Sequence, residues 1–157
     1  MTNALTLDIP AGLPYIDGQR DFDAPVAAVF RAHAEPDLVK QWLGPHGYEM
    51  DIEQYDFVSG GRYRYVHRTD EGDYGFHGVF HVVRENDFAI QTFEYEGFPD
   101  VVSIESLRFE DLGDRRTRLH VHAVYPTLEA RDGMVRSGME TGMSQGYDRL
   151  DKLAQGL

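Results

Sequence analysis

Two glutamates, two tyrosines and a histidine are the residues here whose types and placement suit chemistry. Glu94 and Glu105 stand in segments that alternate like strands. A carboxylate aimed from a strand into an apolar space needs a partner or a raised pKa. A carboxyl tuned toward neutrality in that way can serve as general acid or base. Tyr63, Tyr65 and His67 recur at every second residue, so they share one strand face and can offer the matching hydrogen bonds. Glu94, Glu105 and His67 are therefore the catalytic candidates, if any reaction takes place. The plainer reading makes the glutamates exposed or ion-paired and the rings a core with satisfied polar tips.

The other polar clusters point less clearly to a site. His77 and His81 share a strand face, as do His120 and His122, but a metal needs three or four convergent ligands with supporting groups behind them. These histidines are expected on the outer surface, and no metal is expected. Gly138, Gly142 and Gly146 recur every four residues near the end of the chain. Glycine costs a helix about 1 kcal/mol against alanine, so the stripe implies either close packing or room for a ligand. Met139 and Met143 beside it suit an adaptable wall or ordinary core. Trp42 is placed to gate a cavity or to anchor packing. A phosphate-binding loop, a nucleophile elbow and a defensible Ser-His-Asp order are all missing from the sequence, and no cofactor is expected.

The elements that must position these residues follow from periodicity. Residues 1–14, with Pro10, Gly12 and Pro14, read as a lead-in, and residues 15–157 as a single domain. A first strand over Tyr15–Phe22 stops at Asp23-Ala24-Pro25, where proline suits a helix start. Val26, Val29, Phe30 and His33 then mark a short helix, and Pro36, Leu38, Val39 and Trp42 a second. From Tyr48 the period becomes two. Tyr48–Asp56, Gly61–Arg68, Tyr74–Arg84, Phe88–Tyr95, Val101–Phe109 and Thr117–Val124 are strands, separated by turn residues such as Ser59-Gly60-Gly61 and Glu85-Asn86-Asp87. Short loops make them an antiparallel meander of about seven strands, curled by its own twist. Met139, Met143, Gly146, Leu150 and Leu153 fall on one face of a C-terminal helix of about five turns, with Thr127 as cap and Gly133 as a kink or delayed start. The curled sheet is the partner large enough to bury that face.

Alternation then assigns faces. Tyr63, Tyr65 and His67 point inward; so do Gly78, Phe80 and Val82, and Leu119, Val121 and Ala123. Leu107 and Phe109 carry Ser103 and Glu105 inward with them. Val102 and Ile104 argue for the opposite phase, which a bulge would reconcile.

The ordered set of local patterns resembles a known superfamily. The pieces are Arg20-Asp21-Phe22-Asp23-Ala24-Pro25-Val26 with Val29-Phe30, Pro36-Asp37-Leu38 with Trp42, Asp56 before Gly60-Gly61, and Gly78-Val79-Phe80. Gln91 through Gly97 follows, then Arg131-Asp132-Gly133-Met134 and Ser137 through Leu150. Together they resemble the START-like, polyketide-cyclase-like (SRPBCC) superfamily, in the branch similar to the C-terminal domain of the activator of the heat-shock-protein-90 ATPase. The resemblance implies an α+β helix-grip fold with a cavity between the sheet and the last helix. Members of the superfamily bind lipids, hormones and polyketides, and some catalyse cyclisation or hydrolysis. The branch carries no shared catalytic motif to transfer, and chaperone regulation is not inferred from it.

Composition narrows the partners. The chain has 157 residues, 41% hydrophobic and 27% charged, enough for one core and too apolar for disorder. A net charge of −12 opposes phosphate backbones and excludes general nucleic-acid binding. No apolar run approaches membrane-spanning length and the start lacks a signal-peptide pattern, so neither a membrane nor export is expected. The absence of cysteine fits a cytoplasmic protein. A homodimer is compatible with the sequence, and no feature requires one.

Three readings of function follow. The first is a binder of a small hydrophobic molecule, walled by Trp42, Tyr63, Tyr65, His67, Phe80, Glu94, Glu105, Leu107, Met139, Met143 and Tyr147. The second is a cyclase- or hydrolase-type enzyme using Glu94 or Glu105 as base. The third is a protein-interaction domain with a collapsed cavity and an outer apolar patch at Val79 and Val83.

Overall fold

The computed structural model describes residues 3–157. Eight strands form one antiparallel sheet: β1 (Thr6–Asp8), β2 (Tyr15–Phe22), β3 (Glu49–Tyr55), β4 (Arg62–Thr69), β5 (Gly72–Arg84), β6 (Phe88–Tyr95), β7 (Val102–Gly113) and β8 (Arg116–Val124). Their spatial order is β1-β2-β8-β7-β6-β5-β4-β3. The strands from β3 to β8 are therefore a meander, and β2 closes against the last of them. Between β2 and β3 lie α1 (Val26–Ala34) and α2 (Pro36–Val39); α3 (Leu128–Arg136) and α4 (Met139–Gln155) follow β8. This is the α+β helix-grip arrangement expected from the sequence, with one strand more. The additional strand, β1, pairs with β2 through Thr6–Gln19 to Asp8–Asp17 inside the segment read as lead-in. Three residues ahead of Pro10 are too few to show alternation.

The C-terminal helix is divided. Thr127 caps α3 as expected, its side chain accepting from Ala130 N at 3.0 Å. The break falls at Gly138 rather than Gly133, because Gly138 adopts φ +87°, a conformation glycine reaches without a Cβ penalty. The remaining 17-residue α4 keeps one face for the core, with Gly146, Tyr147, Leu150 and Ala154 buried.

The sheet bends at three register shifts, between Ile52 and Gln54, Phe80 and Val82, and Asp111 and Gly113. Bulges of this kind kink a strand and increase its twist. None falls between Val102 and Glu105, where the β6–β7 register runs unbroken from Phe88–Arg108 to Glu94–Val102. Glu105 thus keeps the inward phase of Leu107 and Phe109, and Val102 and Ile104 simply face out, 37% and 51% exposed. The shift after Phe80 corrects the expected inward run of Gly78, Phe80 and Val82. It turns Val83 toward the core, so Val83 leaves the outer patch while Val79 stays on it.

The space between sheet and helices is closed at one end. There Phe22, Val29, Phe80, Leu119 and Leu150 are almost completely buried, and Phe30 meets Phe57 and Phe109 edge to face at 5.5 and 5.3 Å. A smaller cluster of Ile16, Ala123 and Tyr125 packs beneath Ala130, Met134, Val135 and Met139.

Candidate functional site

Moving along the strands from the closed end, inward-facing residues regain accessible surface. Phe76 on β5, Gln91, Phe93 and Tyr95 on β6 and Glu105 on β7 are all only partly buried. So are Met139 and Met143 on α4. These residues face the interior by alternation and by their neighbours, and they keep accessible surface there. The inner face of the sheet at this end is a run of rings. Tyr63 stacks on Tyr65 at 6.0 Å, Tyr65 on Phe76 at 5.3 Å, and Phe76 on Phe93 at 5.4 Å.

Glu105 is the acidic residue of this interior. It pairs across the sheet with Gln91 on one side and Ala123 on the other. Gln91 Nε2 donates to Glu105 Oε1 at 3.1 Å. Burial raises the Glu105 pKa from the ordinary carboxyl range to about 6, and the Gln91 bond opposes only part of that rise. Burial also raises the pKa values of Tyr63, Tyr65, Tyr125 and Tyr147, and the Glu105 charge adds to each, which places four phenols within its electrostatic reach. Tyr63 donates its hydroxyl to Thr92 O at 2.5 Å. The hydroxyls of Tyr65, Tyr125 and Tyr147 have no partner among the described residues. They are not sealed in protein either, since the sealed and unpartnered side-chain atoms there are Arg20 Nε and His67 Nδ1. Three buried side chains thus carry hydroxyls that are neither bonded to a described residue nor fully sealed, within electrostatic range of a carboxyl of raised pKa.

His67 lies at the far end of the ring wall, 5% exposed and edge-on to Tyr65 and Phe76. Desolvation lowers its pKa to about 4, so it is neutral at physiological pH. The loop after α2 covers it: a Cβ on Gly44 would sit 2.6 Å from His67 Cε1. Arg149 ties this loop to α4 by donating to Trp42 O and Gly44 O, and His46 N donates to Gln145 Oε1 at 3.0 Å. Gly146 packs directly on the loop, where a Cβ would meet Trp42 O at 2.9 Å. At that position the glycine stripe serves close packing, whereas Gly142 has only Pro45 nearby, at 3.9 Å.

The expected wall residues divide accordingly. Tyr63, Tyr65, His67, Glu105 and Leu107 lie on the inner face of the sheet, and Met139, Met143 and Tyr147 on α4. Phe80 lies in the packed end against Phe57 and Tyr63. Trp42 is an anchor there, its Nε1 donating to Ala32 O at 2.9 Å and its ring stacked on Tyr147 at 6.0 Å. Glu94 requires a correction. The inward phase of β6 is Ala89, Gln91, Phe93 and Tyr95, which puts Glu94 on the outer face. There it lies 3.3 Å from His77 Nε2 and accepts from Asp100 N at 3.0 Å. Sequence reasoning passed over Gln91 and Tyr125. Gln91 shares the parity of Phe93 and Tyr95, and Tyr125 continues the inward series Leu119, Val121 and Ala123.

The outer face carries histidine–carboxylate contacts. His77 meets Glu96 at 2.9 Å, His120 meets Glu110 at 2.8 Å and His122 meets Asp17 at 2.5 Å. A depression of about 480 Å³ lies among Asp17, Ile90, Arg108, His120 and His122. It is wide open, and its histidines are already engaged by carboxylates.

Residues 23–155 match the family described as activator of Hsp90 ATPase homolog 1-like protein. The chain belongs to that family. Solved structures agree on the fold of this Hsp90-activator-like chain. A crystal structure of a Rhodobacter sphaeroides protein is 25% identical with a TM-score of 0.86, covering 97% of this chain and 99% of that one. A solution structure of an Arthrobacter aurescens protein is 21% identical with a TM-score of 0.86, covering 97% and 92%. A Mycobacterium smegmatis protein is 21% identical with a TM-score of 0.84, covering 94% of each chain. No curated protein matches the chain. No helix among the described residues is long and apolar enough to cross a membrane.

Proposed function

We propose that this member of the Hsp90-activator-like family binds a small, mostly apolar molecule between the sheet and α4. One observation carries the reading: Tyr65, Tyr125 and Tyr147 are buried side chains whose hydroxyls have no partner among the described residues yet are not sealed in protein. Buried polar groups are normally satisfied, so such a set marks where water or a ligand completes the bonding. Rings supply the apolar wall and few polar groups fix orientation, as in small-molecule pockets generally. The lack of cysteine accords with action in the cytoplasm.

The test is native mass spectrometry of protein purified without added ligand, with a thermal-shift screen of apolar metabolites. A co-purifying molecule, or a melting-temperature rise that Met143→Trp removes by narrowing the opening, is expected. A protein that is empty and stabilised by nothing in the screen overturns the reading. It would favour an interaction surface on the outer face, where Val79, Ile104 and Val124 are 41%, 51% and 39% exposed.

A second reading, acid–base catalysis, rests on Glu105 alone, whose pKa near 6 suits proton transfer at neutral pH. Turnover that Glu105→Gln abolishes while ligand binding persists would establish it.

A further inference from the structure

We propose that the ligand of this site is an apolar amine, seated with its ammonium against Glu105. The inference rests on the ligand-binding reading above and specifies the ligand's chemistry. Glu105 Oε1 is occupied by Gln91 Nε2, and Oε2 has no donor among the described residues. The stacked faces of Tyr65, Phe76 and Phe93 suit the hydrocarbon part and attract positive charge.

The cations near the interior are already committed, which leaves an anionic ligand without a counter-charge. Arg20 donates to Asp151 at 3.0 Å and to Asp148 at 2.8 Å. Arg131 is held by Asp132 and by the carbonyls of Pro10 and Tyr15. Arg149 points into the loop at Trp42 and Gly44. His67 and His33 are buried and neutral at physiological pH. Gln91 from β6 is bonded to Glu105, and Tyr63 and Tyr65 from β4, Tyr125 after β8 and Tyr147 from α4 lie within range of its charge. Among these, Glu105 ionises first as the pH rises. A fatty acid or other carboxylate would meet a like charge there above pH 6, whereas an ammonium would restore the carboxylate's missing partner.

The experiment is calorimetric titration of the full chain with 4-phenylbutylamine, 4-phenylbutan-1-ol and 4-phenylbutanoate at pH 8 and pH 5. The amine is expected to bind tightest at pH 8 and about tenfold more weakly at pH 5, where a carboxyl of pKa near 6 is about one-tenth ionised. Glu105→Gln, checked for native near-ultraviolet dichroism, is expected to abolish the amine's preference over the alcohol. If the alcohol or the carboxylate binds wild-type protein at pH 8 as tightly as the amine does, the amine proposal fails and the cavity reading stands. If none of the three binds at millimolar concentration, both fail.

Discussion

Tyr63 lies across Gly78. A Cβ built on Gly78 would stand 2.6 Å from the Tyr63 hydroxyl and 2.1 Å from Thr92 O. The absent side chain on β5 lets the Tyr63 ring of β4 span its neighbour and donate to the β6 carbonyl of Thr92, joining three strands. Gly78→Ala must therefore displace backbone, not only a flexible tip. Overpacking of this kind costs about 1–3 kcal/mol, and for a chain of this length about 2–4 °C of melting temperature accompanies each kcal/mol. Tyr63→Phe keeps the ring and loses one hydrogen bond, about 1 kcal/mol. Thermal denaturation should rank Gly78→Ala as the more damaging change; a Gly78→Ala protein as stable as wild type would contradict the close approach.

Arg20 and Asp151 tie β2 to α4. Arg20 is 3% exposed, and Asp151 also accepts from Asn3, Asp23 N and Gln155. Removing one member of a buried pair leaves a charge without compensation, at a cost of about 3–5 kcal/mol. Asp151→Leu should approach that figure, tempered by Asp148, which still holds Arg20 Nη2. The double variant Arg20→Met with Asp151→Leu should lose less than the sum of the single changes. A double-mutant cycle in urea measures the coupling, and additive losses would show the pair to be energetically independent.

The sequence made the order of the main elements plain, apart from β1 and the break at Gly138, and the strand phase plain only where one face is clearly richer in apolar residues. On β4, Tyr63, Tyr65 and His67 oppose Arg62, Arg64 and Arg68, and there the inward face follows directly. On β6 each face mixes apolar and polar residues: Ile90, Thr92 and Glu94 against Ala89, Gln91, Phe93 and Tyr95. Only pairing with both neighbours decides, and it sends Glu94 outward. On β7 the exposed Ile104 imitates a core residue while Glu105 occupies the core side. A carboxylate inside and an isoleucine outside invert the usual pattern, and such inversions mark function more often than fold. The bulge after Phe80 changes the face of Val83 without any proline or glycine at that point to announce it.

Stability should fall in acid through two histidines. His33 and His67 have folded pKa values lowered by burial to about 4, against about 6.5 when unfolded. Between these limits the unfolded chain binds more protons, so the contribution is complete above pH 6.5 and disappears as pH falls through 4. Each is worth about 3 kcal/mol as an order of magnitude. His67 Nδ1 has no partner to lose. His67→Phe should therefore be near neutral at pH 7 and more stable than wild type at pH 5. Urea midpoints at the two pH values test this, and parallel pH profiles for the two proteins would refute it.

Glu105 acts in the opposite sense. Its folded pKa, raised to about 6 from 4.5, makes the folded chain bind more protons between those values. Its favourable contribution is complete below pH 4.5 and is lost as pH rises through 6, leaving a buried carboxylate that costs about 2 kcal/mol at neutrality. Glu105→Gln keeps the shape and removes the charge. The variant should thus exceed wild type in stability by up to about 2 kcal/mol at pH 8 and equal it near pH 4. A residue that weakens the fold at physiological pH is understandable where a ligand supplies the missing counterpart, since sites commonly trade stability for binding. Denaturation of both proteins across pH 4–8 decides the matter. Should Glu105→Gln be less stable than wild type at pH 8, the carboxylate would already have its partner within the protein, and an unpaired acid would no longer be available to a ligand.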